Sequence, residues 1–274
     1  MIPNSKKIIK NPSNEELRSF VAEMPQSILT NHQNINVSTK VTARSAESTF
    51  FVSDKEFGQQ CISHTENKKI AQMQDEYISQ QEMVLIDGCI GPDADFQVGC
   101  RLLVEKKNAN IAAMQQQLYF LPSIKPTHEM IVIDTPNLFA PGYPNNRIIT
   151  VDLDTYTTRI LGSDYFGESK KGGLRMWNQV VYDAGGLGMH AGCKVYPDIN
   201  GKEKLLLIIG LSGTGKTTTT FRTQLNSLPV QDDFCALLPG GSVRATENGC
   251  FAKTFGLERK NEPVIYDALT SPEA

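Results

Sequence analysis

The sequence predicts an α/β protein with two domains, a mixed α/β domain over residues 1–184 and a second domain over residues 185–274. Two observations support this prediction. Short apolar segments with the composition of β-strands alternate with segments of helical period. A glycine cluster over residues 183–188 then interrupts the chain and marks the boundary between the two parts.

The elements of the first domain are predicted one after another along the chain. Ser13 followed by Glu16 has the pattern of a capping box, so a helix begins there. We expect extended chain over 33–52, strands over 83–87 and 130–134, and a helix over 101–121. A loop rich in Pro, Gly and Asn over 140–146 precedes strands over 147–152 and 158–161 and a helix over 173–182.

The second domain begins with two predicted strands, over 188–195 and 204–209. Asn200 and Gly201 between them form a hairpin turn signal. A helix is expected after Lys216 and another over 261–269, but few strand candidates follow Lys216. The strand over 204–209, which precedes the first of these helices, needs parallel neighbouring strands to cover it. Because few such strands are predicted, we expect the chain to hold only the first part of this domain.

Composition and charge narrow the class of protein. The net charge of -3 provides no basic surface, so nucleic acid is not an expected partner. The longest apolar run, over 205–209, is far too short for a membrane span, and no signal peptide is visible, so we expect a cytoplasmic protein. Six cysteines without a C-x-x-C pair predict reduced and mostly buried thiols. The oligomeric state is not predicted.

A phosphate-binding motif is the strongest single signal. The segment after the apolar strand matches G-x-x-x-x-G-K-S/T and runs directly into a predicted helix, which is the context that a P-loop requires. Its backbone N–H groups would surround the phosphates, Lys216 would reach the β- and γ-phosphates, and Thr217 would bind Mg²⁺. The expected nucleotide-binding residues are Gly210, Leu211, Ser212, Gly213, Thr214, Gly215, Lys216, Thr217 and Thr218. The second domain is therefore predicted to be the first part of a P-loop nucleotide-binding domain.

Three further groups of polar residues are ambiguous when each is taken alone. Asp232 and Asp233 follow the P-loop helix and could hold its metal ion, but an Asp-Asp pair is usually a solvated turn. Lys170 and Lys171 lie between glycines, where a lysine pair is usually solvated. His190 lies in an apolar strand, where a histidine is more often a core residue than a ligand.

Taken together and in order, these segments resemble the ATP-dependent phosphoenolpyruvate carboxykinase family. The resemblance covers residues 152–269 well. It covers the first half only weakly, chiefly through Thr42-Ala-Arg44-Ser45 and the two strands that end at Asp87 and Asp134. The segments that carry it are Y-x-G-E-x-K-K-G at 165–172, M-H at 189–190, G-L-S-G-T-G-K-T-T at 210–218, D-D at 232–233, G-C-F-A-K-T at 249–254 and E-P-x-I-Y at 262–266.

This resemblance implies a substrate side and a metal site. Arg44 would hold a substrate carboxylate, and Tyr165 would line the pocket for oxaloacetate or phosphoenolpyruvate. Lys171, His190 and Asp233 would bind Mn²⁺, for which the lysine must be neutral. Lys170 would stabilise the phosphoryl group during its transfer.

The resemblance also implies a nucleotide side. Thr217 would bind the Mg²⁺ of ATP with Asp232 in its outer shell, Lys253 would meet the ATP phosphates, and Glu262 would approach the ribose. The implied reaction is the gluconeogenic conversion of oxaloacetate and ATP to phosphoenolpyruvate, ADP and CO₂, through an enolate whose oxygen takes the γ-phosphoryl group.

Two alternatives stay open. The segment Ala46-Glu47-Ser48 after Arg44-Ser45 differs from the family pattern, so a P-loop kinase with another acceptor is an alternative. A nucleotide-binding module without catalysis is the other, although it has no need of a second metal site at Lys171, His190 and Asp233. The stretch that carries the family's phosphoryl-stabilising arginine and adenine pocket is not among the 274 residues. We therefore expect this fragment to have little or no activity by itself.

Overall fold

The computed structural model describes residues 2–122, 129–211, 214–224, 226–252, 254, 256–272 and 274. Its main feature is an eight-stranded mixed sheet in the order β1-β6-β7-β8-β10-β9-β4-β5. The α/β class predicted from the sequence is therefore confirmed. The strands of the first part are β1 (Lys7–Lys10), β2 (Ser27–Leu29), β3 (Ile35–Val37), β4 (Thr49–Val52), β5 (Cys61–Ile62), β6 (Glu82–Ile90), β7 (Val98–Glu105), β8 (Glu129–Thr135), β9 (Ile148–Asp152) and β10 (Thr157–Leu161).

Helices pack against both faces of this sheet, and further helices lie in the second part of the chain. Short 3-10 helices lie at Ala46–Ser48, Lys106–Asn108 and Pro144–Asn146. The α-helices are α1 (Asn14–Ala22), α2 (His64–Ile78), α3 (Ala109–Leu118), α4 (Phe166–Asp183), α5 (Lys216–Phe221) and α6 (Pro263–Leu269). Helix α2 was not predicted from the sequence.

The start of α1 confirms the capping box. Ser13 Oγ accepts a hydrogen bond from the Glu16 amide at 3.2 Å, and Glu16 Oε2 accepts one from the Ser13 amide at 2.8 Å. Both contacts satisfy backbone donors that the first helical turn would otherwise leave free. Leu17 and Val21 on the inner face are buried.

The helix predicted over 101–121 is wrong in its first part. Residues Val98–Glu105 form β7, which pairs antiparallel with β6 and parallel with β8, and only Ala109–Leu118 is α-helical. Leu102, Leu103 and Val104 are all fully buried, because both faces of this central strand are covered. A strand buried on both faces loses its alternation of polar and apolar residues, so its sequence can be mistaken for a helix.

The predicted strands over 83–87 and 130–134 are confirmed as β6 and β8, and those over 147–152 and 158–161 as β9 and β10. The extended chain predicted over 33–52 is only partly present, since a 3-10 helix at Ala46–Ser48 separates β3 from β4.

Helix α4 begins earlier than the sequence predicted. It runs over Phe166–Asp183 rather than 173–182, so Lys170 and Lys171 lie inside a helix. Gly173 does not interrupt the helix, because it lies against the sheet. A Cβ added there would be 3.1 Å from Cys100 Sγ, so the missing side chain lets α4 approach β7 closely.

The chain after α4 forms two three-stranded sheets, in the orders β11-β15-β16 and β13-β12-β14. The hairpin predicted at Asn200 and Gly201 is confirmed, because β12 and β13 pair antiparallel across it. The strands are β11 (Leu187–Met189), β12 (Ala191–Pro197), β13 (Glu203–Ile209), β14 (Leu228–Gln231), β15 (Cys235–Leu237) and β16 (Val243–Ala245).

Two expectations for this second part need correction. The strand predicted over 188–195 is two strands, which are separated at His190. Strand β13, which precedes the P-loop motif, has an antiparallel neighbour in the described chain rather than a parallel one. The division into residues 1–184 and 185–274 stays a prediction, and backbone hydrogen bonds cross it from Gly91 N to Thr246 O at 3.0 Å and from Asn248 N to Leu118 O at 2.9 Å.

The cysteines and the helices bear on two further expectations. All six cysteines lie in the described ranges as free thiols, and four of them are buried: Cys89, Cys100, Cys193 and Cys235. Within those ranges, none of the helices is both long enough and apolar enough to cross a membrane.

Candidate active site

Three of the predicted site residues contact a single carboxylate, that of Asp233. Its Oδ2 lies 3.0 Å from Lys170 Nζ and 2.6 Å from Lys171 Nζ. Its Oδ1 lies 2.9 Å from His190 Nε2. The lysines come from α4, the histidine from the junction of β11 and β12, and the aspartate from the turn between β14 and β15. The structure therefore brings together residues from three distant segments of the chain.

The sequence analysis missed a second carboxylate in this cluster. Glu247 Oε2 lies 3.0 Å from Lys170 Nζ, and both side chains are at most 5% exposed. The backbone amide of Glu247 donates to Gln231 Oε1 at 3.0 Å, which fixes this acid after β16. Its only sequence signal is an acidic residue just ahead of the motif that begins at Gly249, and this signal is weak when taken alone.

The cluster is held together by strong electrostatic interactions. Burial alone would raise the pKa of the Asp233 carboxyl, but the Lys170 and Lys171 ammonium groups outweigh it and lower that pKa well below its usual range. Burial alone would lower the pKa of Lys170, but Glu247 and Asp233 outweigh it and raise that pKa. Lys170 is therefore a charged ammonium group with two carboxylate partners.

The pKa of His190 is shifted in the opposite direction to that of Lys170. Burial against its neighbours lowers the pKa of the imidazole, and although Asp233 opposes this shift, the charges of Lys216 and Lys171 add to it. The imidazole is consequently neutral near pH 7, which is the form that binds metal ions. Its Nε2 already points at the Asp233 carboxylate.

The donor atoms of this cluster fit a divalent cation. Lys171 Nζ, His190 Nε2 and the Asp233 oxygens are gathered at one point, and after the Lys171 ammonium group loses its proton they form two nitrogen donors and a carboxylate, a mixed set that can bind a divalent cation. Across the described residues, no group of three or more His, Cys, Asp or Glu side chains could hold a metal ion. A metal here would therefore need Lys171 as its third protein ligand.

Arg44 and Tyr165 lie beside the cluster. Tyr165 is half-buried at the start of α4, and burial, followed by the charge of Glu168, raises the pKa of its hydroxyl. The charges of Arg44 and Lys170 act on the same hydroxyl, so both lie near it. The Ser45 amide donates to Glu168 Oε1 at 2.6 Å, which attaches the Arg44 segment to α4.

The P-loop motif is only partly described, since Ser212 and Gly213 lie outside the described residues. Gly215 adopts a φ of 89°, a conformation that favours glycine, directly before α5. Lys216 Nζ donates to Gly210 O at 2.9 Å and lies 3.5 Å from Leu211 O, so its side chain folds back over the loop. Thr214 Oγ1 also donates to Leu211 O, at 2.7 Å.

The remaining predicted nucleotide residues are distributed around α5. Thr218 Oγ1 donates to Glu262 Oε1, which brings the predicted ribose residue to the P-loop helix. Asp232 is buried, its Oδ2 accepts a contact from Cys250 Sγ at 3.1 Å, and burial raises its pKa. Thr217 is half-buried in the first turn of α5. Lys253 lies outside the described residues.

A lysine-rich cluster around one carboxylate, next to a loop that ends in Gly-Lys-Thr, is typical of proteins that transfer phosphoryl groups. A family model described as phosphoenolpyruvate carboxykinase matches residues 6–274. The chain therefore belongs to the phosphoenolpyruvate carboxykinase family, and the resemblance noted in the sequence is confirmed.

Similar proteins carry the same family name. Proteins named phosphoenolpyruvate carboxykinase (ATP) are 26% identical in Caldanaerobacter subterraneus subsp. tengcongensis, over 97% of this chain and 52% of the relative, and 27% identical in Bacillus cereus, over 95% and 52%. One from Aeropyrum pernix is 30% identical over 69% of this chain and 40% of the relative. The chain thus spans about half the length of these relatives.

Proposed function

We propose that this chain carries the substrate, metal and phosphate sites of an ATP-dependent phosphoenolpyruvate carboxykinase. The proposed reaction converts oxaloacetate and ATP to phosphoenolpyruvate, ADP and CO₂, as a cytoplasmic step of gluconeogenesis. The observation that carries the proposal is the convergence of Lys170, Lys171 and His190 on Asp233. The names of the similar proteins support the same activity.

On the substrate side, Arg44 and Tyr165 hold the keto acid. Loss of CO₂ leaves the electron pair of the broken C–C bond on an enolate, whose oxygen then attacks the γ-phosphorus of ATP. Lys170 is kept charged by Glu247 and Asp233, so it can neutralise charge on the transferring phosphoryl group. Because this cation is already in place before the reaction, its reorganisation during the reaction is small.

Two divalent cations complete the proposal. Mn²⁺ would be held by Lys171, His190 and Asp233, where it would supply positive charge beside the enolate oxygen. Mg²⁺ would accompany ATP at Thr217, with Asp232 in its outer shell. These are separate sites, since one offers two nitrogens and a carboxylate and the other offers hard oxygen donors.

The nucleotide would be held by the loop from Gly210 to Thr218, including Ser212 and Gly213, with Lys253 at its phosphates and Glu262 at its ribose. Lys216 would exchange its contact with Gly210 O for phosphate oxygens. The side chain is therefore already near its proposed position, and binding requires mainly a change of hydrogen-bond acceptor.

The metal assignment is tested with Mn²⁺ titration followed by electron paramagnetic resonance, without nucleotide. We expect His190→Ala to weaken Mn²⁺ binding about tenfold or more, because it removes a ligand. Thr217→Ala should leave this site unchanged. His64→Ala is a matched control, since His64 is also an exposed histidine between carboxylates, those of Asp54 and Asp154.

Two results would contradict the metal assignment. If Thr217→Ala alone removes the bound Mn²⁺, a single site at the nucleotide is the better account. If His64→Ala weakens binding as much as His190→Ala, the ion is bound by surface carboxylates.

The nucleotide assignment is tested by calorimetry with ATP and Mg²⁺. Lys216→Ala should abolish measurable affinity, because the lysine supplies the cation between the β- and γ-phosphates. Lys202→Ala, at an exposed lysine of the β12–β13 turn, is the control. Equal binding by wild type and Lys216→Ala would overturn the P-loop assignment.

A further inference from the structure

Arg175 is a largely buried guanidinium that the proposed mechanism does not use. It follows Lys171 by one turn on α4, so the two side chains share one face of the helix, together with Glu168. The Arg175 side chain is 13% exposed, and its Nη2 lies 3.1 Å from Glu168 Oε2. The face of α4 that carries the metal-site lysine therefore also carries a second cation.

The other nitrogen of this guanidinium is unpaired. Arg175 Nη1 is buried, and among the residues that the structure describes it finds no hydrogen-bond acceptor. Buried polar groups are normally paired, and an unpaired donor on a charged group is especially unfavourable. A buried, unpaired donor that lies near Arg44 of the proposed substrate site is a candidate for binding a ligand atom.

Glu168 links Arg175 to the segment that carries Arg44. While its Oε2 pairs with Arg175, its Oε1 accepts the hydrogen bond from the Ser45 amide, so one fully buried carboxylate holds both segments. Burial lowers the pKa of the Arg175 guanidinium and the nearby Arg44 charge adds to this, while Glu168 opposes it. The Arg44 charge thus lies near Arg175, and Glu168 is the carboxylate that pairs with Arg175, so together the two guanidinium groups carry more positive charge than this carboxylate neutralises.

We propose that Arg175 is a second carboxylate-binding residue, which takes one carboxylate of a dicarboxylate substrate on its free Nη1 while Arg44 takes the other. This inference rests on the proposed function, whose keto acid has two carboxylates. Arg175 would make the site select dicarboxylates over monocarboxylates of the same length.

The Arg175 side chain suits this role because a guanidinium group has two terminal nitrogens that can each donate hydrogen bonds to a different partner. Nη2 is fixed by Glu168, so Nη1 is held in one orientation and loses little freedom when it binds a carboxylate oxygen. Glu168 acts here as a positioning residue, since it touches Arg175 and the Ser45 backbone rather than the ligand.

The test compares two ligands of equal chain length, succinate with two carboxylates and butyrate with one, by calorimetry in the presence of Mn²⁺. Arg175→Gln should weaken succinate binding about tenfold or more and leave butyrate binding unchanged. Arg159→Gln is the matched control, because Arg159 is 12% exposed and paired with Asp75 at 2.7 Å, but lies on β10. It should bind both ligands as the wild type does.

A solely structural role would change both ligands alike, so an equal loss for succinate and butyrate overturns the proposal. So does a wild type that does not prefer succinate. If Arg175→Gln does not fold, Arg175→Lys is used instead. It keeps the positive charge but lacks the two terminal nitrogens of the guanidinium group, so it should show a reduced preference for succinate. Mn²⁺ is titrated in the same proteins: failure to bind Mn²⁺ counts against the proposed function, whereas unchanged succinate preference with Mn²⁺ bound counts against Arg175 alone.

Discussion

At the scale of single residues, Lys170 shows how the fold keeps a charge inside the protein. A buried ammonium group is strongly unfavourable unless it is paired, and Lys170 has two carboxylate partners, Asp233 and Glu247. Asp233 is shared with Lys171 and His190, whereas the only described salt bridge of Glu247 is with Lys170. Glu247 is therefore the dedicated counter-charge of the proposed phosphoryl-stabilising lysine.

Glu247→Gln should lower the free energy of unfolding by about 1–3 kcal/mol, because it leaves a buried cation with one shared carboxylate. Urea denaturation followed by circular dichroism measures this. Glu258→Gln is the control, since Glu258 also pairs with a lysine, Lys260 at 3.0 Å, but at a surface where both side chains are more than half exposed. There the change should be below about 0.5 kcal/mol, and an equal effect at both positions would contradict the buried-charge argument.

Asp134 is another buried acid, but it has no cationic partner among the residues that the structure describes. Its Oδ2 accepts a hydrogen bond from Ser169 Oγ at 2.5 Å, while its Oδ1 finds no partner among the described residues. Burial raises the pKa of this carboxyl well above its usual value, and the neighbouring Glu105 and Glu168 charges add to the shift. The hydrogen bond from Ser169 lowers the pKa but does not cancel the shift. The folded state therefore prefers the neutral acid.

The sign of the pH dependence follows from this shift. Because the folded pKa lies above the unfolded one, the stability that Asp134 contributes is present below the unfolded pKa and is lost as pH rises towards the folded pKa. Asp134→Asn should therefore gain stability relative to wild type between pH 4 and pH 7. Urea denaturation across this range measures the gap, and Asp183→Asn, at an exposed acid ending α4, should run parallel to wild type. A constant gap for Asp134→Asn would contradict the raised pKa.

At the scale of elements, the short helix α5 depends on its contact with β12. Helix α5 has only six residues, too few to be stable alone, so it must be held by neighbours. Lys194 of β12 donates to the carbonyl groups of Thr219 and Arg222 at its C-terminal end, at 3.1 and 2.7 Å. Gly192 of the same strand lies where a Cβ would be 2.0 Å from Thr220 Oγ1. The P-loop helix is thus placed by β12 as much as by its own sequence.

Gly192→Ala should push α5 away from β12, because Thr220 is fully buried and cannot move aside. We expect a loss of about 1–3 kcal/mol in the free energy of unfolding and weaker ATP binding. Thr220→Ala removes the clashing atom. In a Thr220→Ala background, Gly192→Ala should therefore cost much less unfolding free energy than it does in the wild type. If the two substitutions are additive, the close contact is not what holds α5.

At the scale of the whole molecule, one hydrophobic core extends across the predicted domain boundary. Trp177 of α4 is fully buried. Its ring packs edge-on against Phe96 of the first part and Phe234 of the second, with ring centroids 6.0 and 5.9 Å apart. Ala236 of β15 belongs to the same core cluster as the central strands of the large sheet. A shared core predicts that the two parts unfold together.

Phe234→Ala should therefore lower the stability of both parts, by about 2–3 kcal/mol for a partly buried ring. Trp177 fluorescence and far-ultraviolet circular dichroism should report the same urea midpoint before and after the change. Phe57→Ala, at a ring that is 51% exposed, should cost less than about 1 kcal/mol and serves as the control. Separate midpoints for the two probes would instead support residues 1–184 and 185–274 as independent domains.

The sequence by itself determined the features whose causes are local or lie in an ordered series of motifs. The cap at Ser13, the hairpin at Gly201, the apolar strands β6 and β8 and the family were all predicted, because each depends on residues close together or on the order of short segments. The grouping of Lys171, His190 and Asp233 was expected only through the resemblance. Their roles in binding metal and substrate stay predictions.

Only the tertiary structure decided the rest. Residues 98–105 became a strand because β6 and β8 provide partners on both sides, which no local period encodes. Gly173 stays within α4 because the sheet occupies the space of its missing side chain. Glu247 pairs with Lys170, and Arg175 pairs with Glu168, because buried charges require partners. These partners are identified only when distant strands and α4 pack together. Contacts between remote residues have no signature in a single sequence, so the counter-charges of this site could be found only in the folded protein.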